Sequence, residues 1–344
     1  MYLTLPMFRV GIQLPHYPIE LVVKAGIYAD KAGFDSIFTP DHLVGIGLKN
    51  FYAYEAFSIL GYLAGKTRAT LGVCVSDVLR RNPAVVAQAA STIASMSGRE
   101  FILGLGAGEG MNLLPFGIET KFLVSKLEEG VKIIRELLSG RVVSYEGKFF
   151  RMKDAFVPPS ENVKIWVAGN SPKTMEITAK YADGWIPTAT MGEKRYEENL
   201  KKIVRKHRKV EAGLFAYTVV AKSYDEAREM IEIPGKFIAL LSPFRGEFLK
   251  KVGIDEKDLP PNILHFTFTK ENVEKLLEVA KQIPFELVER RYFYGSPEDV
   301  AERMEKFVKA GVEHFVLTPL VRHNYYLECV RLIAEKVLPL IRED

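Results

Sequence analysis

Only two cysteines, Cys74 and Cys329, occur in 344 residues, far apart and outside any Cys-x-x-Cys spacing. That excludes a disulfide framework, and without clustered histidines it argues equally against a zinc site. Neither sign of charge is in excess: 47 basic and 43 acidic residues leave a net charge of +4, and the two signs are interspersed. The concentrated basic stripe of a nucleic-acid binder is therefore missing, although a mildly anionic ligand is compatible with the balance. No apolar run approaches the roughly 18 residues needed to span a bilayer. Met1 to Pro6 lacks the basic start and long apolar stretch of a signal peptide. The chain reads as a cytoplasmic protein with neither nucleic-acid nor membrane partners. No solenoid-period repeat and no low-complexity linker divide it, so residues 1–344 are expected to form a single domain.

What the chain does have is alternation. Short β-branched runs trade places with longer amphipathic stretches, as in a parallel sheet connected by crossover helices. Strands are expected at Arg9 to Leu14, Ser36 to Thr39, Thr70 to Val75, Phe101 to Gly106, Lys164 to Ala168, Gly184 to Pro187, Gly213 to Val220 and His314 to Leu317. Helices are expected at Ile19 to Ala32, Ala53 to Gly65, Ala84 to Ser97, Phe122 to Leu138, Pro172 to Tyr181, Glu193 to Val210, Tyr224 to Ile231 and Pro297 to Lys309. Eight such units make an α/β fold, a (β/α)8 TIM barrel. The boundaries carry matching chemistry: Ser296-Pro297-Glu298-Asp299 supplies a cap, an N1 proline and acidic residues, while Gly33 and Gly311 suit left-handed helix ends. Two insertions break the alternation: a hairpin over Val142 to Val157 and a long, mainly helical excursion from Gly235 to Arg291 before the last barrel unit.

Barrels of this kind bind ligands on the loops that follow the strands, so residues just past each strand are the candidates. After the second strand stand Asp41 and His42, the latter able to move protons near neutral pH. After the third, Cys74-Val75-Ser76-Asp77 leads through Arg80-Arg81-Asn82-Pro83 into a helix. After the fourth, Gly104, Gly106, Gly108 and Gly110 alternate, with Ala107, Glu109 and Asn112 among them. Such glycines let a planar ring or a phosphate approach the main chain and would aim Glu109 into the mouth. The run is not a Rossmann fingerprint, because Gly104 and Gly106 lie within or at the end of the strand and no compact βαβ unit with a downstream acid follows. After the fifth, Ala168-Gly169-Asn170-Ser171-Pro172 opens a helix whose amides either hold an anion or are simply capped.

Taken in order, these stretches resemble the luciferase-like flavin and deazaflavin oxidoreductases, a barrel superfamily that includes methylenetetrahydromethanopterin reductase and the deazaflavin-dependent alcohol and glucose-6-phosphate dehydrogenases. The resemblance runs from Phe8 to about Arg342. It rests on Phe38-Thr-Pro-Asp-His42, Arg81-Asn-Pro through Arg99, Leu103 to Asn112, Ala168-Gly-Asn170, Ala182-Asp-Gly-Trp185 and Gly295-Ser-Pro-Glu-Asp299. It implies an enzyme that binds coenzyme F420 and transfers a hydride between the deazaflavin C5 and a small organic substrate. By the same comparison the ring lies against a bulge at Cys74-Val75, which in the deazaflavin members is a cis peptide without proline. Asp41, Gly106, Ala107, Gly108, Asn112, Ala168, Gly169 and Asn170 would contact the cofactor, and His42 with Glu109 would form the acid/base pair.

Departures bear on the substrate. The dehydrogenases carry a tryptophan shortly after the Asp-His pair, where this chain has Leu43-Val-Gly-Ile46, and Met191 stands at the sugar-phosphate lysine. Thr188, Arg290 and Arg291 are the anion contacts left, which argues against glucose-6-phosphate and leaves pterin reduction open. An FMN-dependent monooxygenase of the same superfamily is the nearer alternative, and a non-catalytic flavin-binding barrel the more distant one. The resemblance, with the sparsely charged helices Ala53 to Gly65 and Ala84 to Ser97, also implies a homodimer or higher homo-oligomer. Aromatic clusters at Phe51-Tyr52-Ala53-Tyr54 and Tyr292-Phe293-Tyr294 are expected in packing.

Overall fold

The computed structural model describes residues 7–45, 52–204 and 210–342. Ile46, Phe51, the expected helical residues 205–209 and the segment Met1 to Pro6 lie outside them. Eight strands are hydrogen-bonded in parallel: β1 Arg9–Gln13, β2 Ser36–Thr39, β3 Thr70–Ser76, β4 Phe101–Leu105, β5 Val163–Val167, β6 Gly184–Trp185, β7 Glu211–Val220 and β8 His314–Pro319. They pair in sequence order, β8 returns to β1, and β7 joins β6 to β8, so the sheet closes into a (β/α)8 barrel. Barrel strands have no wet face, which is why β2 and β4 are buried along their whole length and read as continuous apolar runs.

The helices lie where the periodicity places them: α1 Ile19–Lys31, α2 Ala56–Ala64, α3 Pro83–Ser97, α4 Leu123–Leu138, α5 Pro172–Tyr181 and α6 Glu193–Val204. They are followed by α7 Tyr224–Leu241, α8 Lys270–Gln282, α9 Pro297–Lys309 and α10 His323–Leu332. Helix α9 begins with the expected cap: Ser296 and Asp299 form a reciprocal capping box around Pro297. The hairpin is present as antiparallel Val143–Glu146 and Arg151–Ala155.

Two expectations require correction. Helix α7 does not stop at Ile231; it continues through Pro234 to Leu241. The lost hydrogen bond at Pro234 is outweighed because the following turns bury Phe237, Leu240 and Leu241 with Phe266, Leu276 and Phe285 in a second apolar cluster. Phe293–Gly295, expected only as packed aromatics, forms a further strand on the C-terminal half of β7, with Phe293 opposite Thr218.

The two ends of the barrel differ in chemistry. At the strand starts a polar plug joins Ser36, Glu211 and His314, with the Ser36 hydroxyl 2.6 Å from His314 Nε2 and Glu211 also paired to Arg9. Above it, Phe38, Ile102, Trp166, Ile186 and Val316 fill the interior and leave the strand C-termini to the site. The excursion from α7 to α8 folds over this upper end, and Ile238, Phe244, Ile263 and Leu264 face the cavity beneath it.

Close packing under the site makes Gly104 intolerant of a side chain. A Cβ there would lie 2.5 Å from the Val73 carbonyl oxygen and 3.0 Å from Val75 Cγ1. Gly104→Ala is expected to destabilise the fold by about 1–3 kcal/mol in urea denaturation. Gly61→Ala, which meets nothing within 4 Å on α2, should be neutral or stabilising by up to about 1 kcal/mol; equal behaviour of the two variants would contradict this packing.

Candidate functional site

A cavity of about 490 Å³ occupies the C-terminal mouth, and its wall takes residues from every barrel strand or the loop that follows it. Its organising group is the Asp41 carboxylate, 2% exposed. Ser76 Oγ donates to its Oδ2 at 2.5 Å, Arg81 Nη1 donates at 2.6 Å, and Arg80 Nη2 stands 3.1 Å away while also donating to the Asp41 carbonyl at 2.7 Å. Arg80 Nε donates in turn to Asp77 at 2.6 Å. Burial alone would weaken the Arg80 charge, but Asp41 and Asp77 outweigh it and raise its proton affinity. Asp41, expected as a cofactor contact, borders the cavity; its carboxylate engages Ser76, Arg80 and Arg81 and so holds the loops after β2 and β3 together.

His42 follows on the same loop. Its Nε2 is 3.4 Å from Glu109 Oε2, and its Nδ1 is 3.1 Å from His16 Nε2. Burial, then the Arg80 charge, pushes His42 down to about 3, so the ring is neutral at ordinary pH. Glu109 moves the other way: burial pushes it up to about 7, with Arg80 opposing and Asp77 assisting. A third of its side chain, 34%, opens to the cavity. Asn112 ties the two loops together, accepting from the amides of Leu43 and Val44 at 2.8 and 3.2 Å and donating to Glu109 at 3.3 Å.

The floor is apolar. Against β4 the register of β3 shifts between Val73 and Ser76, and the Cys74–Val75 peptide is cis. Burial pushes the Cys74 thiol up to about 12, so it stays protonated. Val75, Ala168 and Phe215 pack on the barrel's interior cluster. The glycines also make room for this floor. A Cβ on Gly106 would meet Val75 at 2.8 Å, and one on Gly110 would strike the His265 backbone at 2.6 Å; Gly108 has φ +88° and Leu79 at 2.9 Å. The space beside these glycines is taken by the protein's own atoms, while Gly106, Ala107 and Gly108 still border the cavity.

On the opposite wall Gly169 has φ +152°, and its carbonyl accepts from Trp185 Nε1 at 3.0 Å. Asn170 Nδ2 donates to Thr188 Oγ1 at 3.1 Å, whereas Asn170 Oδ1 is buried without a partner. Gln13 Oε1 and the Thr318 hydroxyl, both lining the cavity, are likewise unpartnered. Buried polar atoms in that state point to a missing bonding partner. The start of α5 is capped rather than open: Ser171 Oγ accepts from the Thr174 amide, and Thr174 Oγ1 accepts from the Ser171 amide.

Thr188 lines the mouth, but Arg290 and Arg291 do not. Arg290 borders a separate depression among Lys194, Arg303 and Lys306, and Arg291, 9% exposed, lays its guanidinium 5.2 Å over the Phe248 ring. The excursion's turn before Phe293 carries both arginines away from the mouth. His16, Ser76 and Arg80 were not singled out as functional from the sequence. His16 follows β1, so the same strand-end rule would have found it; Ser76 and Arg80 carry no local signal beyond lying in a βα loop. Among the described residues no group of three or more His, Cys, Asp or Glu side chains is placed to hold a metal, and no helix is long and apolar enough to cross a membrane.

An apolar floor, a polar edge from Glu109 to Asn112 and unpartnered buried oxygens on facing walls fit a flat heteroaromatic ring. Residues 2–314 match the model of a family described as luciferase-like monooxygenase. The 5,10-methylenetetrahydromethanopterin reductase of Archaeoglobus fulgidus is 28% identical over 341 residues, 96% of this chain and 97% of that protein. An F420-dependent glucose-6-phosphate dehydrogenase of Kineococcus radiotolerans is 30% identical over 305 residues, 84% of each chain. Among solved structures, an F420-dependent secondary alcohol dehydrogenase in complex with an F420-acetone adduct matches with a TM-score of 0.77 at 21% identity, over 98% of this chain and 100% of the other. That last likeness speaks for the barrel fold.

The buried charge network makes a prediction. Arg80→Met leaves Asp41 and Asp77, 2% and 3% exposed, with less compensation. It is expected to cost about 3–5 kcal/mol in chemical denaturation, and by removing the opposing charge it should move the Glu109 midpoint upward. A stability loss below about 1 kcal/mol, the range of a surface pair, would contradict the network's role.

Proposed function

The chain belongs to the luciferase-like monooxygenase family, and from that premise we propose that it is a coenzyme F420-dependent oxidoreductase acting on a small organic substrate of the secondary alcohol, ketone or methylene-pterin kind. The observation that carries this reading is the His42–Glu109 pair, held at 3.4 Å over an apolar floor with its two members in different protonation regimes. Support comes from the relatives, whose names include a methylenetetrahydromethanopterin reductase and an F420-dependent dehydrogenase.

When bound, the deazaflavin supplies hydride transfer at its C5, leaving the protein to orient the reactants and manage the proton. Val75 and Ala168 offer a flat apolar surface for one face of the ring. Asn170 Oδ1 and Gln13 Oε1 offer hydrogen-bond acceptors on facing walls, and the Gly106-Ala107-Gly108 backbone and Asn112 border the same space. Glu109, with a midpoint near 7, exchanges the proton on the substrate heteroatom, because both of its forms are populated near neutral pH. Neutral His42 stands behind it as donor or acceptor. Thr188 faces the substrate side of the mouth.

The test is turnover followed through cofactor absorbance and oxygen uptake across secondary alcohols, ketones and methylene-pterins. F420-linked turnover without oxygen consumption is expected for one class. Glu109→Gln should lower kcat by about 10²–10⁴-fold with cofactor Kd changed only a few-fold. In the reducing direction protonated Glu109 is the working form, so activity falls as pH rises through about 7; in the oxidising direction it falls as pH drops through the same midpoint. Oxygen uptake with reduced FMN and no F420 turnover would reject the reading.

A further inference from the structure

The reading of Glu109 as proton exchanger leaves open which side chains behind it share in the proton's movement. We propose that His16 is the second member of a proton relay, Glu109 to His42 to His16, in which the two imidazoles reverse their tautomers together each time Glu109 changes protonation state. The relay deepens the proposed function and rests on that reading for its catalytic use, but the tautomer coupling itself needs neither cofactor nor substrate.

The argument begins with hydrogen-bond counting. Each neutral imidazole has one N–H and one bare nitrogen. His42 faces Glu109 with Nε2 and His16 with Nδ1. If Glu109 is protonated it donates to His42 Nε2, which must then be bare; His42 carries its hydrogen on Nδ1 and donates it to bare His16 Nε2, leaving His16 protonated on its own Nδ1. If Glu109 is ionised it accepts from His42 Nε2, so His42 Nδ1 is bare and must accept from His16 Nε2. Between these states the Glu109 proton moves to His42 Nε2, the His42 Nδ1 proton moves to His16 Nε2, and the His16 Nδ1 proton leaves. One proton enters the chain and one departs, with no net charge left on either ring.

The surroundings favour this neutral arrangement. Burial, then His42 and His323, holds His16 well below the usual histidine range. His42 is held down by burial and Arg80, with a backbone hydrogen bond at Val44 working the other way. Asp77 and Arg80 from the loop after β3 and Tyr217 from β7 face Glu109; Asp41 adjoins His42; His323, from the exposed start of α10, faces His16. The exit from the route is solvent, since His16 is itself partly exposed where it lines the cavity, whose wall also includes the exposed His323. A purely structural His16 would keep one tautomer whatever Glu109 does.

The test uses full-length protein labelled with ¹⁵N-histidine, without cofactor or substrate. Ring nitrogens are read by long-range ¹H–¹⁵N correlation, and His16 is assigned among the six histidines by its loss in folded His16→Gln. His16 is expected to change from the Nδ1–H to the Nε2–H form as pH rises through the Glu109 midpoint, and to lose that change in Glu109→Gln and in His42→Phe. In turnover, His16→Ala should lower kcat by about tenfold or more with KM little changed, and free imidazole should restore it. A His16 tautomer that is constant with pH, or that still switches in Glu109→Gln, overturns the relay. If the protein proves not to use F420 while the coupled switch persists, the functional reading fails and the relay stands.

Discussion

The site depends on one buried carboxylate. Asp41 lies in a place where an isolated charge would be prohibitive, and it is kept there by two guanidinium groups and a serine hydroxyl. Because Arg81 also pairs with Glu55 at the start of α2, and Arg80 with Asp77, the same charges fasten the loop after β2 to the loop after β3 and to the helix between them. His42 is the next residue along, so its position is inherited from this clamp. The field of Arg80 then acts twice more, lowering His42 and opposing the rise of Glu109. A single arrangement of charge therefore sets both the geometry of the pair and the separation of its protonation behaviour.

Around that clamp the barrel separates stability from chemistry. The Ser36, Glu211 and His314 plug satisfies polar groups at the strand starts, the aromatic interior fills the middle, and at the mouth Gln13, Asn170 and Thr318 retain free bonding capacity. The excursion adds a second apolar cluster whose inner edge closes over the cavity. Such a roof strengthens electrostatic interactions beneath it by excluding water.

Much of this was legible in the chain. The change between two-residue and helical periodicity marked all eight strands, and Asp41, His42, Glu109 and Asn112 were recognisable because they follow strand ends in a barrel. What escaped depended on distant packing. The helix through Pro234 is held by Phe266 and Phe285, both far along the chain, and the glycine run answers to Val75 and His265, which no local pattern connects to it. Arg80 looked like an ordinary loop residue because the carboxylate it clamps, Asp41, lies on another loop. Arg290 and Arg291 looked available to the mouth, yet the turn ahead of Phe293 directs them elsewhere.

The central claim is that this mouth is built for a deazaflavin. Equilibrium titration of the purified protein with oxidised F420 and with FMN, in one buffer and read by cofactor fluorescence, tests it most directly. Micromolar or tighter binding of F420 with FMN much weaker is the predicted result, and a preference for FMN, or binding of neither, would contradict it.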